Sequence, residues 1–353
     1  MFFLSVNEHT MSQHPLLSAI STYCLPWPLA TALALSTTPA PPPSAPPPAV
    51  RYAEPPILES PAAHLALTAS AAWKLLFTAA AYHAPPAWGG MPAAAAAAAL
   101  SAPWVAGVAL RNTALTWLVG LVWDFAHLHP ASPWHAALQP LKFKPQAPPP
   151  RQVLHDACFA TLSALVAAGW EVGLLCAWGR GRLALAAVPG DAWWAHWPTL
   201  ALLLAVPYFQ IVHFFLVHRL MHAWGTAPLD PGAWLYRHVH ALHHKSRDPT
   251  AFSGTSMHPV ESALFFSTVG LAAWAGAHPI LMLHATVYNI MTAMLGHESY
   301  GAPSTGGHSH WLHHQLVTCN YGGNFIPLDW LCGSYVKDEA HFEQLREAKR
   351  KTA

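Results

Sequence analysis

Apolar stretches of bilayer length constrain the fold of this chain more than any other feature. Roughly 20 consecutive apolar residues cross the hydrocarbon core of a bilayer as a helix. The regions 103–125, 157–178, 197–217 and 262–295 reach that length. The last is too long for one span and contains Pro279 near its middle, which predicts a hairpin of two helices broken at the proline. With a further span in the Ala-rich, proline-interrupted region 65–100, we expect about four to six spans in total.

The scarcity of charge agrees with a membrane protein. Asp, Glu, Lys and Arg make up 9% of the residues, against about 25% in soluble domains. A formal net charge of +1 provides no basic field for nucleic acid, so no nucleic-acid partner is expected. The five cysteines form no CxxC pair, which argues against a disulfide framework. The sequence therefore predicts an all-α, polytopic membrane helical bundle.

Composition divides the chain into four predicted segments. Residues 1–55 include the run APPPSAPPPA, which cannot sustain a helix and predicts a disordered, proline-rich N-terminal segment. Residues 56–200 are expected to contain the N-terminal membrane spans. Residues 201–336 form the predicted catalytic region, and residues 337–353 form a polar C-terminal tail.

Histidines are concentrated in the third segment and locate its chemistry. Of 25 histidines in the chain, 16 lie at or beyond His213. They occur mainly in the motifs HRLMH, HALHH and HWLHH, and one more follows an apolar stretch in GHESYG. Residues three or four apart lie on one face of a helix, so each motif can present several imidazoles to one centre. The nine candidate metal ligands are His218, His222, His240, His243, His244, His297, His310, His313 and His314.

The number and type of these candidate ligands favour two redox metal ions. Nine imidazoles exceed the about four to six ligands that one transition-metal ion takes, and imidazole-rich sites suit Fe, Zn, Cu or Ni rather than Mg or Ca. Structural zinc is the alternative, but such sites usually contain cysteine among four ligands. A histidine-only set at the end of apolar spans favours iron.

The motifs together resemble the fatty acid hydroxylase and sterol desaturase superfamily. The resemblance runs from about His213 to Tyr335 and includes HPVE at 258–261 and NYGGNFIPLDWLCGSY at 320–335. It implies an integral membrane di-iron enzyme, with the nine histidines as iron ligands, that uses O2 and electrons to hydroxylate or desaturate a lipid. Zinc can substitute for the two Fe ions. The chain has Trp330 where the family usually has a basic residue, which bears on substrate choice.

Five neighbouring residues are expected to support the ligands rather than bind metal. Ligating histidines need hydrogen-bond partners on their other ring nitrogen. Glu261 and Asp329 are candidates for that role. His238, His258 and His308 lie beside the motifs and are expected to have orienting or structural roles.

Removal of hydrogen from an unactivated C–H bond is beyond any side-chain acid or base, so a cofactor must supply that chemistry. The expected substrate is a lipid. A sterol is favoured, in a C-5 desaturase-like or methyl oxidase-like reaction, and a fatty acyl or sphingoid chain is the alternative. The chain contains no HPGG motif of a fused cytochrome, so a separate cytochrome b5 or reductase is the expected electron donor.

The resemblance implies the endoplasmic reticulum membrane. The ending KRKTA resembles a dilysine retrieval signal for that organelle, and a solvated basic tail is the alternative interpretation. A cytosolic tail would agree with a cytosol-facing cap that carries the histidines.

Two other classes of protein remain as alternatives. A transmembrane haem electron carrier could use His284 and His297 as axial ligands, but that function leaves both HxxHH motifs unexplained. A metal transporter would place ionisable residues near the middle of its spans. Here the histidines gather at the ends of spans, which favours an enzyme at the membrane interface.

Overall fold

The fold is known from a computed structural model, which describes residues 61–143, 147–187, 191–225, 229–297, 299–300 and 306–352. Within these ranges every regular element is a helix, apart from one isolated bridge between Lys142 and Tyr300. The expected all-α class is confirmed for this part of the chain. The predicted disordered segment 1–55 lies outside the described residues.

Four helices are long and apolar enough to cross a membrane. They are α1 (Pro61–Tyr82), α2 (Ala102–Leu128), α3 (Pro150–Gly179) and α4 (Trp197–Leu220). The last three correspond to predicted spans. Helix α1 comes from the start of the Ala-rich region and ends at Tyr82, before Pro85 and Pro86, so the prolines follow the helix instead of interrupting it. The predicted boundary between residues 200 and 201 falls inside α4.

The region 262–295 folds differently from the expected pair of spans. It does form a hairpin that turns just before Pro279, but its arms are short: α6 (Pro259–Phe266), the turns Ser267–Gly270 and Leu271–Trp274, and α7 (Ile280–Leu295). None of these reaches span length, so the expectation of two spanning helices is wrong. The reason is burial inside protein: α7 packs against α1, α2 and α4, and 13 of its 16 residues are buried. A helix shielded by longer helices is apolar on all sides without facing lipid.

The remaining elements are short helices that connect the spans or cover one end of the bundle. The longer ones are α5 (Pro231–His238), α8 (Gly306–Leu316) and α9 (Glu339–Thr352), the last within the predicted polar tail. The single-turn and 3₁₀ segments are Pro86–Trp88, Ala94–Ala98, His135–Leu138, Gln139–Leu141, Trp193–Ala195, His240–Lys245, Ala251–Thr255 and Leu328–Leu331.

Antiparallel packing of the spans brings the histidine segments to one end of the bundle. Phe325 packs against the beginning of α1, and Asp124 near the end of α2 accepts a hydrogen bond from the Ala251 amide. Asp156 near the beginning of α3 contacts the same segment through Ser253, and α4 ends beside His218. The segments that carry the histidine motifs therefore meet at this end.

An ion pair joins two of the spans inside the apolar bundle. The Arg111 guanidinium on α2 lies 2.5 Å from the Glu171 carboxylate on α3, and both side chains are largely buried. Arg111 also donates to the carbonyl of Gly89. The contact gives Glu171 a helix-pairing role.

Replacement of one partner of this pair should destabilise the bundle. Arg111→Met leaves a buried carboxylate unpaired and is expected to cost about 3–5 kcal/mol, seen as a lower midpoint of thermal unfolding in detergent. The double variant Arg111→Met, Glu171→Met removes both charges and should recover part of that loss. A single variant as stable as the wild type would show that the pair does not stabilise the bundle.

Candidate metal centre

Four chain segments bring the nine candidate ligands together at the end of the bundle. His218 lies in the last turn of α4, and His222 lies two residues after the end of that helix. His297 comes two residues after the end of α7. The HALHH motif forms the 3₁₀ turn His240–Lys245, and HWLHH lies in α8. All nine side chains are buried, with relative exposures of 8% or less.

The nine imidazoles divide into two groups. Within each group the potential ligand nitrogens all lie within 4.8 Å of one another. The five-histidine group contains His218, His222, His240, His244 and His313. The four-histidine group contains His243, His297, His310 and His314. The structure thus brings together every histidine that the sequence singled out as a candidate ligand.

Each HxxHH motif contributes to both groups. The outer pair, four residues apart, lies on one side of its turn and enters one group, while the histidine between them enters the other. His240 and His244 belong to the five-histidine group and His243 to the four-histidine group; in α8 the assignment is reversed, with His313 in the five-histidine group. Adjacent residues on a helix point in different directions. The motifs therefore form the wall shared by the two groups.

Backbone carbonyls fix the orientation of four of the rings. The Nδ1 atom of His218 lies 2.7 Å from the Tyr321 carbonyl oxygen, and that of His313 lies 2.6 Å from the Cys319 carbonyl oxygen. In the other group, His297 Nδ1 lies 2.7 Å from the Ala293 carbonyl and His243 Nδ1 lies 3.3 Å from the Ser256 carbonyl. A carbonyl oxygen only accepts, so each Nδ1 must carry the hydrogen. In the neutral ring, Nε2 then has no hydrogen and carries a free lone pair.

These lone pairs face one another inside the groups. His243 Nε2 and His297 Nε2 are 3.3 Å apart, and neither has a hydrogen to donate if both rings are neutral. In the five-histidine group, His218 Nε2 lies 3.0 Å from His240 Nε2, and the buried His222 Nε2 has no hydrogen-bond partner. Nitrogens bound to one metal ion at about 2.1 Å lie roughly 3 to 3.4 Å apart. The donor set therefore fits a cation in each group better than it fits hydrogen bonding between histidines.

Burial keeps the rings neutral, which is the form that binds metal. Burial is the largest effect on each pKa, and it lowers the pKa of His243 to about 4 and that of His297 to about 3. Burial, reinforced by neighbouring imidazoles, holds the pKa of His240, His244, His310 and His314 well below the usual range. At neutral pH these nitrogens offer lone pairs.

Glu261 is the carboxylate that contacts a candidate ligand directly. Its Oε1 lies 2.7 Å from His240 Nδ1, and both side chains are buried. Burial raises the pKa of Glu261 well above its usual value, because a lone carboxylate is poorly solvated there. A cation on the opposite nitrogen of His240 would compensate that charge. The expected orienting role of Glu261 agrees with this geometry.

Asp329 acts on the site through the backbone. Its carboxylate accepts from the amides of Tyr321 and Gly322 at 2.8 and 2.7 Å, and so holds the loop whose Tyr321 carbonyl orients His218. The structure gives Asp329 no contact with a candidate ligand ring. The sequence pointed to the residue but did not reveal this indirect connection.

The three additional histidines lie outside both groups. His238 is exposed and packs at a tilt beside Trp234, with ring centroids 4.9 Å apart. His258 caps α6 by accepting from the Val260 amide at 3.2 Å. His308 packs between Phe143 and Trp311. Structural roles, as the sequence favoured, suit all three.

Two residues near the centre could not be identified from the sequence alone. Phe214 precedes His218 by one helical turn, and its ring lies 4.8 Å from that of His218 and 6.0 Å from that of His310. It therefore touches one histidine of each group from within α4. Asp156 lies one residue before an apolar run, and its bonds to distant serines could not be inferred from that position.

His284 and His297, the axial ligands of the alternative haem carrier, have different surroundings in the structure. His284 is fully buried in α7, where its Nδ1 lies 3.0 Å from the Thr78 hydroxyl of α1. His297 instead belongs to the four-histidine group. The contact between α1 and α7 gives His284 a helix-packing role.

Fold and site together define a class: a multi-pass helical membrane protein with two adjoining histidine groups at one end of its bundle. Residues 202–334 match the family model for fatty acid hydroxylase. The resemblance seen in the sequence is thereby confirmed for this region of the chain.

Relatives of this region carry several names. A very-long-chain aldehyde decarbonylase of Oryza sativa subsp. indica is 30% identical over 154 residues, which cover 40% of this chain and 57% of that protein. Methylsterol monooxygenase 2-2 of Arabidopsis thaliana is 28% identical, covering 35% of this chain and 52% of that protein. A putative Delta(7)-sterol-C5(6)-desaturase of the same plant is 28% identical, covering 40% and 54%. The chain thus spans little more than half of each relative. No solved structure matches it.

Loss of the Glu261 carboxylate should weaken the centre without removing a candidate ligand. Glu261→Ala is expected to lower metal affinity by about ten- to a hundredfold, because His240 loses the partner that fixes its ring. Glu261→Gln keeps an accepting oxygen and should lose less. Titration of metal-free protein with cobalt(II) measures the effect, with His238→Ala as control. Unchanged affinity in Glu261→Ala would contradict the orienting role.

Proposed function

We propose that this protein is an O2-dependent di-iron oxidoreductase that hydroxylates or desaturates a membrane lipid. The observation that carries the proposal is the division of nine buried imidazoles into groups of five and four, with lone pairs directed inwards. An imidazole-rich donor set suits iron. The names of the relatives, which include monooxygenases and a desaturase, support the class of reaction.

The nine histidines would hold two ions, one in each group. Bound iron would supply the reduction of O2 and the removal of hydrogen from an unactivated C–H bond, which protein side chains cannot perform. The protein's own contribution is orientation. The carbonyls of Tyr321, Cys319, Ala293 and Ser256, together with Glu261, hold the rings so that Nε2 faces inwards.

The surroundings of the centre suit a substrate that arrives from the bilayer. On the α4 side the two groups meet the ring of Phe214, which packs on Phe265 of α6 with centroids 6.1 Å apart. Apolar side chains at this point would exclude water and receive a hydrocarbon rather than a polar metabolite. Phe214 touches both histidine groups, so a C–H bond held against its ring would lie beside both.

A sterol is the substrate that we favour, in a methyl oxidase-like or C-5 desaturase-like reaction. Two of the relatives described above are named for sterol reactions. A linear chain is the second candidate: fatty acyl and sphingoid chains were the alternatives from sequence, and the 30% identity to an aldehyde decarbonylase adds a very-long-chain aldehyde.

We further propose how the protein is arranged in the cell. The histidine groups face the cytosol from the endoplasmic reticulum membrane, and a separate cytochrome b5 or reductase delivers electrons there. Residues 201–336 form the catalytic region, 56–200 the preceding spans and 337–353 a polar tail. The antiparallel order of α1 to α4, which brings all the histidine segments to one end, supports a single electron-accepting face.

A direct assay separates the substrate candidates. Iron-loaded protein in lipid nanodiscs would be supplied with O2, cytochrome b5, its reductase and NADH, and given a 4-methylsterol, a Δ7-sterol, a long-chain acyl lipid or a very-long-chain aldehyde. Mass spectrometry would identify the product. Oxidation of a sterol supports the first proposal and oxidation of a linear substrate supports the second. Absence of O2-dependent turnover on all four, with iron bound, would contradict the proposed activity.

A single ligand variant tests the role of the four-histidine group. His243→Ala should abolish oxidation and reduce bound iron, because it removes one of the four candidate ligand nitrogens of the four-histidine group. It also removes part of the wall that both groups share. His238→Ala, on the exposed face five residues earlier, should keep both. Iron analysis alongside the lipid assay measures the two effects. Full activity of His243→Ala would remove the di-iron assignment.

A further inference from the structure

We propose that two carboxylates position the two histidine groups separately: Asp156 positions the four-histidine group, and Asp329 positions the five-histidine group. The inference rests on the proposed metal centre and goes beyond it, because it assigns positioning residues to each half. Neither carboxylate touches an imidazole of either group. Each acts through main-chain segments whose carbonyls hold the rings.

Asp156 is a fully buried carboxylate at the beginning of α3 that gathers three serine hydroxyls. Its Oδ1 accepts from Ser246 at 2.7 Å and from Ser256 at 2.9 Å, and its Oδ2 accepts from Ser253 at 2.7 Å. His155 Nδ1 lies 3.1 Å from the same Oδ1. A buried carboxylate is stable only when its lone pairs are occupied, so these bonds tie the segment 246–256 to α3.

The segment held by Asp156 orients two members of the four-histidine group. The Ser256 carbonyl receives the Nδ1 hydrogen of His243 at 3.3 Å, and the Ser246 amide donates to the His243 carbonyl at 3.2 Å. Gly254 packs so closely on α7 that an added Cβ would lie 2.1 Å from the Ala293 carbonyl oxygen. That oxygen is the one that orients His297. His243 and His297 thus both depend on the position of this segment.

Asp329 has the corresponding connection to the five-histidine group. It accepts from the Tyr321 and Gly322 amides and from the Ser334 hydroxyl at 2.6 Å. The Tyr321 carbonyl orients His218, and the Tyr321 ring lies 4.7 Å from that of His222 and 5.5 Å from that of His313. Every one of these rings belongs to the five-histidine group.

A carboxylate with a general folding role would affect both histidine groups, whereas Asp156 and Asp329 are each connected to one group. Among the described residues, the serine bonds of Asp156 lie within segment 246–256, and the bonds of Asp329 lie within loop 319–334. The structure therefore predicts a selective effect. Loss of one carboxylate should weaken one metal site and leave the other.

Cobalt(II) titration of the metal-free full chain in detergent provides the test. Wild type should bind two cobalt ions per chain. Asp156→Asn should weaken one site by about ten- to a hundredfold, and Asp329→Asn should weaken the other. The visible spectrum of bound cobalt reports the ligand arrangement of the site that remains, so the two variants should give different spectra.

Double variants assign each effect to a group. If Asp156 acts on the four-histidine group, Asp156→Asn should not weaken cobalt binding further in His314→Ala, where that group is already impaired. In His222→Ala, where the five-histidine group is impaired, Asp156→Asn should weaken binding at the remaining four-histidine site. Asp329→Asn should show the reverse pattern. Non-additivity of this kind is expected for residues that act on one site and not for independent residues.

The possible results separate the inference from the proposed function. Equal weakening of both sites by Asp156→Asn, or no weakening of either, overturns the positioning assignment while two-ion binding by the wild type upholds the centre. A wild type that binds no cobalt tightly overturns the proposed function itself. If Asp156→Asn is not monodisperse, Ser256→Ala, which removes one donor and keeps the carboxylate, must show the same selective loss; if it leaves both sites intact, the inference is wrong.

Discussion

The bond from an imidazole Nδ1 to a backbone carbonyl is the interaction on which the centre depends. It places the hydrogen of His218, His313, His297 and His243 on the outer nitrogen. The inner nitrogen, Nε2, then carries a lone pair and can only accept a hydrogen bond or bind a metal ion. Without these bonds, neighbouring buried histidines could hydrogen-bond to one another and would have no need of a cation. Because these carbonyls come from three separate segments, at Ser256, at Ala293 and at residues 319–321, the chemistry of the centre depends on the packing of the whole bundle.

The bundle meets this requirement by ending its helices at one place. Helices α4 and α7 each deliver a histidine where they end, and α8 provides three more from a helix that is not a span. Burial lowers the pKa of these rings and so keeps their lone pairs available at neutral pH. The same burial makes unpaired nitrogens costly in free energy. Metal binding would therefore stabilise the fold as well as create the activity.

Local periodicity explains why the ligands could be predicted and the architecture around them only in part. The nine histidines were readable because spacings of three and four residues have one meaning on a helix. Their division into five and four was not, since it depends on how His243 and His313 are rotated against distant partners. Region 262–295 was misjudged because apolar composition does not distinguish a helix buried in protein from one in lipid. Asp156 was missed since its serine partners lie 90 to 100 positions away.

Metal analysis of the purified protein, together with its visible spectrum, distinguishes a di-iron centre from haem and from a single-ion site. Expression in iron-supplemented medium limits replacement by zinc, which outcompetes ferrous iron at imidazole sites. We expect two irons per chain and no Soret band. A Soret band would indicate haem and contradict the account, as would iron-reconstituted protein that retains no more than one ion per chain.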